Sequence, residues 1–222
     1  MSSSNPVRTR ARRILRALAQ RYPDAQCALH YENPLQLVIA TILSAQCTDA
    51  RVNQVTPGLF ARFPDAKAYA TAEPHELERA IQSTGFFRNK ARNIQACCEQ
   101  LIRQYDGQVP QTMEELVQLP GIGRKTANVI LGNVYDVPGI TVDTHVKRLS
   151  YRMGLTQETD PEKIERDLMR LLPPLEWTMF SHRMIHHGRQ VCHARKPNCA
   201  ECTLAKICPK IGVDGHSSDA EG

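Results

Sequence analysis

Aromatic residues are scarce in this chain: one Trp, six Tyr and five Phe make up 5% of its 222 residues. A core must therefore rest on Leu, Ile, Val, Ala and Met. No stretch approaches the roughly 18 apolar residues that a membrane span requires. Met1–Arg13 is rich in Ser and Arg, with no apolar run behind the charges, so it does not read as a signal peptide. A soluble, intracellular protein without a membrane partner is the expectation. Its compartment is then reducing, which argues against reading the eight cysteines as a disulfide framework. Strand signals are nearly missing. Gly139–Val142 is the one short β-branched run, too isolated to build a sheet. No clear long-range repeat and no low-complexity linker interrupts the chain. The exception is the polar tail 211–222, expected to be disordered.

What is present points to helices. Apolar residues make up 41% of the chain, enough for a sizeable core or two smaller lobes. Asn33-Pro34 reads as an N-cap followed by Pro at the first helical position, and Leu35, Val38, Ile39, Ile42 and Leu43 follow at helical spacing. Thr112-Met113-Glu114-Glu115 reads as a capping box, in which hydroxyl and carboxylate each satisfy a backbone N–H. Asp160-Pro161 opens another helix, carrying Ile164, Leu168, Leu171 and Leu172. Gly85, Gly107, Gly154 and Gly188 each fall where a left-handed helix stop is expected. The fold class predicted is all-α, with about ten helices. Net charge is +5, and removing Asp214, Asp219 and Glu221 of the tail leaves +8 on residues 1–210. That charge suits a polyanionic partner without requiring one.

Four cysteines crowd one short segment: Cys192, Cys199, Cys202 and Cys208, spaced C-x6-C-x2-C-x5-C. Buried core thiols suit Cys27, Cys47, Cys97 and Cys98, but not these four, which lie among His193, Arg195, Lys196, Asn198, Glu201 and Lys206. Four thiolates converging on one centre explain the grouping. Structural zinc favours two short Cys pairs, and only Cys199 and Cys202 make one. A cubane accepts uneven spacing, so the pattern leans modestly towards an iron–sulfur cluster.

A second constellation is Leu119-Pro120-Gly121-Ile122-Gly123-Arg124-Lys125-Thr126-Ala127, between a helix at about 112–118 and another running through Val129, Ile130 and Leu131. Two glycines at a helix N-terminus let backbone amides face a phosphate, and the helix dipole favours the same charge. For a bare G-x-G an ordinary tight turn between helices is the favoured reading, and the spacing is too short for a Walker loop. Lys125 sits beside Arg124 at the positive end of that helix. Positive neighbours and partial burial would both favour the neutral, nucleophilic amine, whereas a lysine after a glycine turn is ordinarily a solvated residue or a phosphate contact. Asp143 fits a helix N-cap ahead of Val146, Leu149 and Met153, and its second oxygen could serve chemistry. His182 and His186 are four apart, but no Glu completes an H-E-x-x-H motif, so they read as packing or polar-face residues. The run Arg8, Arg10, Arg12, Arg13 and Arg16 reads as a solvated helix face rather than a phosphate-binding arm.

The hairpin LPGIGRKTAN, the segment VDTHVKRL with Asp143, LSAQCTD at 43–49 and the four-Cys spacing, in that register from about residue 10 to 210, together resemble the endonuclease III family. The resemblance implies a helix-hairpin-helix DNA glycosylase fold of two helical lobes with a DNA-binding cleft between them. One lobe would be six-helical, 27–137, with the hairpin; the other would combine 1–26 with 138–210 around a [4Fe-4S] cluster on Cys192, Cys199, Cys202 and Cys208. It implies a bifunctional DNA glycosylase and AP lyase acting on oxidised pyrimidines in damaged double-stranded DNA, a monomer in the cytoplasm, associated with the nucleoid. Lys125 would attack C1′, a Schiff base would form, and β-elimination would cut the strand; Asp143 would stabilise the developing positive charge and move a proton. DNA contacts would come from Gln46, Phe86, Gly121, Ile122, Gly123, Arg124, Arg195 and Lys196. Gln46 would fill the gap left by the flipped base, and Phe86 stands where the family is expected to carry a wedging Leu.

Rival readings are separable. An adenine glycosylase of the same fold lacks the lysine and carries a further C-terminal domain, and an oxidised-guanine glycosylase usually lacks the four cysteines. A zinc-containing, non-catalytic DNA-binding module would be colourless, whereas an iron–sulfur protein is brown.

Overall fold

Helix starts follow short polar–proline signatures. In the computed structural model, Asn33 caps α2 (Pro34–Leu43) by accepting from Gln36 N at 3.0 Å, and Asp160 caps α10 (Pro161–Leu171) by accepting from Lys163 N at 3.0 Å. Thr112 caps α7 (Met113–Leu116), accepting from Glu115 N at 3.3 Å. The expected capping box closes differently: the Thr112 hydroxyl donates to the Glu115 carboxylate at 2.6 Å, so that carboxylate is held by the side chain.

The structure describes residues 5–213. Among them are eleven α-helices, two 3-10 turns and no strand. The Gly139–Val142 run pairs with no other strand; the Thr141 N–H is satisfied instead by Ser181 Oγ at 3.0 Å. No helix of the described residues is long and apolar enough to cross a membrane.

The chain divides into two compact units, Cys27–Val137 and Met1–Gln26 with Pro138–Gly222. In the first, α2 is buried on every side from Leu37 to Leu43 and packs against α3 (Asp49–Arg62), α6 (Phe87–Tyr105) and α8 (Arg124–Val134). Its core is aliphatic, completed by Cys97, Cys98 and the Phe63–Tyr69 ring pair at 5.2 Å. Truncating a side chain such as Leu37 in a core of this kind costs about 2–5 kcal/mol. The short helices α4 (Ala66–Ala70) and α5 (Pro74–Ile81) lie against α6.

In the second unit, α1 (Pro6–Arg21) packs on α10 and α11 (Trp177–Gln190), and α11 packs on α9 (Thr144–Arg152). Ile14, Leu18, Val146, Leu149, Leu168 and Phe180 form its centre. Arg10 is no part of a solvated face: its guanidinium donates to Gly154 O at 2.9 Å, while Arg8, Arg12, Arg13 and Arg16 are exposed.

Gly85, Gly107 and Gly154 hold positive φ angles of 71°, 76° and 61° at helix ends, as the sequence predicts. Gly188 does not. It lies inside α11, where a Cβ would stand 2.7 Å from His145 Nδ1, so its missing side chain serves the close approach of α11 and α9. Of the tail expected at 211–222, Ile211 is tied to the fold, its N–H donating to Arg152 O at 3.1 Å, and 214–222 lie outside the described residues.

Candidate functional site

The hairpin is built on two buried anchors. Leu119 and Ile122 are 2% and 5% exposed, and Ile122 N closes the turn on Leu119 O at 3.0 Å. Between them Gly121 adopts φ 81°, a left-handed geometry, and a Cβ there would meet Asn93 Cβ of α6 at 3.1 Å. Glycine is thus required both by conformation and by contact. Because the Ile122 side chain is in the core, only its backbone is available to a ligand. Gly123 caps α8 without a side chain, so no side-chain oxygen competes for the amides of the first turn. Gly121, Gly123, Arg124 and Lys125 are exposed. A helix start without a side-chain cap, at the positive end of α8 and beside two cations, has the electrostatics that favour an anion such as phosphate. The partial burial invoked for Lys125 is absent, because its position in the first turn faces away from buried Ala127, Ile130 and Leu131.

Two other exposed residues of this unit hold strained backbone. Gln46, in the turn between α2 and α3, has φ 52°, and Phe86, at the start of α6, has φ 47° and is 63% exposed. Left-handed geometry in non-glycine residues costs on the order of 1 kcal/mol each and gathers where a side chain must be aimed. Between their turns lies Lys90, 4% exposed, whose Nζ donates to Leu43 O and Thr84 O, each at 2.7 Å.

In the second unit, Asp143 is half-buried and caps α9 through Oδ1, which accepts from Val146 N at 2.8 Å. The neighbouring His145 is pushed below its usual pKa by burial, which outweighs the pull of Asp143; Arg148 and Arg189 press in the same direction as burial. Lys125 and Asp143 belong to different units.

Cys192, Cys199, Cys202 and Cys208 line one pocket with Arg152, His187 and Leu204. Among the described residues, no three or more His, Cys, Asp or Glu form a single-ion site. Donors face two of the sulfurs: Arg152 Nη1 is 3.3 Å from Cys192 Sγ and Lys210 N is 3.4 Å from Cys208 Sγ, while His187 Nε2 lies 3.4 Å from Cys202 Sγ, the tautomer of the ring deciding which of the two donates. Burial pushes the Cys202 and Cys208 thiols up, and the other cysteines of the pocket add to the effect. Buried thiols such as these two resist ionising together unless a cationic centre compensates them. The loop that carries exposed Arg195 and Lys196 is pinned by Arg152, which donates to His193 O and Ala194 O, each at 2.7 Å. Cys97 and Cys98 are core thiols, the former pushed up to about 12 by burial. Cys27 and Cys47 are only half-buried.

Residues 39–174 match the family model described as the HhH-GPD superfamily base excision DNA repair protein. The chain is 59% identical to the Endonuclease III of Synechocystis sp. over 90% of its own length and 92% of the relative's. It belongs to the endonuclease III family. The Bacillus subtilis Endonuclease III is 45% identical over 90% of each chain. A solved structure of a trapped endonuclease III–DNA covalent intermediate superposes with a TM-score of 0.88 at 45% identity, covering 91% of this chain and 96% of that one. A thermostable thymine-DNA glycosylase, 18% identical, superposes with a TM-score of 0.84 over 92% of this chain and 97% of that one, so its likeness is one of fold.

Within this endonuclease III family member, sequence reasoning overlooked two residues. Lys90 and Arg152 are both buried cations that tie main-chain carbonyls together. In sequence each is one basic residue among 28, and only burial distinguishes them. The His186 ring lies 6.1 Å from that of Tyr22, and His182 is pushed down to about 4, chiefly by burial and further by His186.

Proposed function

We propose that this base excision repair DNA glycosylase and AP lyase removes oxidised pyrimidines from duplex DNA, with Lys125 as nucleophile. The observation that carries the reading is the placement of Lys125: exposed, in the first turn of α8, directly behind an uncapped Gly-Ile-Gly turn suited to phosphate. Phosphate held by the turn would set the sugar within reach of the amine. The neutral Lys125 amine attacks C1′ and the damaged base departs. The opened sugar carries the resulting Schiff base, and β-elimination then breaks the strand on the 3′ side. Asp143 balances the positive charge developing on the sugar and accepts or relays the Lys125 proton. One of its oxygens is committed to the α9 cap, which fixes the direction of the other.

Gln46 and Phe86 enter the space vacated by the flipped base, Gly121, Ile122, Gly123 and Arg124 hold backbone phosphate, and Arg195 and Lys196 add a further phosphate contact. Cys192, Cys199, Cys202 and Cys208 hold a [4Fe-4S] cluster, supported by their shared pocket and the N–H groups directed at the sulfurs. Bound there, the cluster is a structural staple for the Arg195–Lys196 loop. The protein works as a monomer on damaged double-stranded DNA inside the cell.

Borohydride trapping on a duplex containing thymine glycol tests the reading. A covalent protein–DNA band with the wild type and none with Lys125→Ala is the expected result. Trapping by Lys125→Ala at the wild-type level would remove Lys125 from the chemistry.

A further inference from the structure

A buried ammonium is expensive, and an apolar side chain of similar length would fill the same space without that desolvation cost. Lys90 is nonetheless buried in the first unit, at 4% exposure, with both of its observed bonds going to main-chain carbonyls. The two carbonyls come from separate segments. Leu43 is the last residue of α2, where carbonyls lack an intrahelical partner and the helix dipole is negative, so a cation is favoured there. Thr84 ends the 3-10 turn Gln82–Thr84, two residues before Phe86. Lys90 also reaches the Phe86 turn through its backbone, its N–H donating to Phe86 O at 3.1 Å. Burial pulls the Lys90 pKa below the usual lysine value, and the neighbouring Cys47 sulfur opposes that pull.

Both segments lead directly into the two strained, exposed residues. Leu43 precedes Gln46 by three positions, and Thr84 precedes Phe86 by two; the φ angles of 52° and 47° there need support from outside the turns. We infer that Lys90 is a positioning residue that clamps the Gln46 and Phe86 turns at one fixed spacing, so that both side chains enter the same gap in the duplex. The inference rests on the assignment of Gln46 and Phe86 to that gap. It adds that their joint action depends on a residue that touches no DNA. Removing the clamp should then impair extrusion of the damaged base, which needs both residues at once, more than the later lyase chemistry at Lys125.

The test uses the full chain and a duplex carrying thymine glycol opposite 2-aminopurine, whose fluorescence rises when its stacking is lost. Lys90→Met keeps the length and removes the donors. Lys90→Gln keeps an N–H donor on a shorter stem and carries the test if the Met variant does not fold. Gln46→Ala and Phe86→Ala are read alongside. The expected result is that Lys90→Met slows the fluorescence phase and base release by roughly tenfold, the size of losing charged hydrogen bonds from a positioned group. Lys90→Gln should lie between it and wild type, and cleavage at a preformed abasic site should change far less in both. Wild-type extrusion by folded Lys90→Met, with Gln46→Ala and Phe86→Ala both slowed, would overturn the clamp alone. Wild-type extrusion by Gln46→Ala and Phe86→Ala would overturn the gap assignment and the clamp with it. Equal losses in extrusion, abasic-site cleavage and binding to undamaged duplex would reduce Lys90 to a general structural role and overturn the inference.

Discussion

Arg152 Nη1 lies 3.3 Å from Cys192 Sγ, and the same guanidinium holds the two carbonyls that follow, His193 O and Ala194 O. One side chain therefore joins a cysteine of the pocket to the loop bearing Arg195 and Lys196. Arg152→Met would leave both carbonyls without this donor, at a cost of about 1–3 kcal/mol. A lower melting temperature and a severalfold weaker affinity for duplex DNA are expected, measured by thermal unfolding and fluorescence anisotropy. Wild-type values in both would disconnect Arg152 from the loop.

Gly188 allows α11 to approach α9. An added Cβ would stand 2.7 Å from His145 Nδ1 and 3.0 Å from His145 Cβ. Alanine is the better helix former by about 1 kcal/mol, yet overpacking of this kind costs about 1–3 kcal/mol. Gly188→Ala should therefore destabilise the protein in chemical denaturation. A stabilised variant would mean that His145 moves aside freely.

Cys199→Ser and Lys125→Ala separate staple from chemistry. Losing a cluster ligand removes binding free energy that is also folding free energy, whereas an exposed lysine contributes within about 0.5 kcal/mol. The serine variant should lose brown colour and melt several degrees lower, while the alanine variant keeps both colour and melting temperature and loses trapping. Equal melting temperatures would remove the structural role assigned to the cysteine pocket.

His182 makes stability depend on pH. Its folded pKa of about 4 lies below the ordinary histidine value of about 6.5, with burial the main cause and His186 adding to it. The unfolded chain therefore binds the proton more readily than the folded one. The neutral ring's contribution is complete above about pH 6.5 and declines as pH falls towards 4. Thermal melts across that window should slope downwards on acidification, and His182→Gln should flatten the slope. An unchanged slope in the variant would assign the pH dependence to other groups.

Much of this protein is legible along the chain because its signals are local. Asn33, Thr112 and Asp160 each reach the amide three residues on, so their helix starts can be read without tertiary contacts. Gly121 and Gly123 mark a turn, and the four cysteines within 17 residues mark a centre, because short spacing already confines them. Helical periodicity and scarce strand signals gave the all-α class for the same reason.

What the fold decided depends on burial and long-range contact. Gly188 resembles a helix stop in sequence and is a packing glycine only because His145, 43 positions earlier, lies against it. Arg10 looks solvated until Gly154 O, 144 residues away, accepts from it. Lys90 and Arg152 are indistinguishable from surface cations until the core closes over them, and neither periodicity nor a motif encodes which carbonyls a buried ammonium or guanidinium will find. Lys125 is the reverse case: its motif identifies it, and the tertiary structure decides that it stays exposed, because the apolar face of α8 turns the other way.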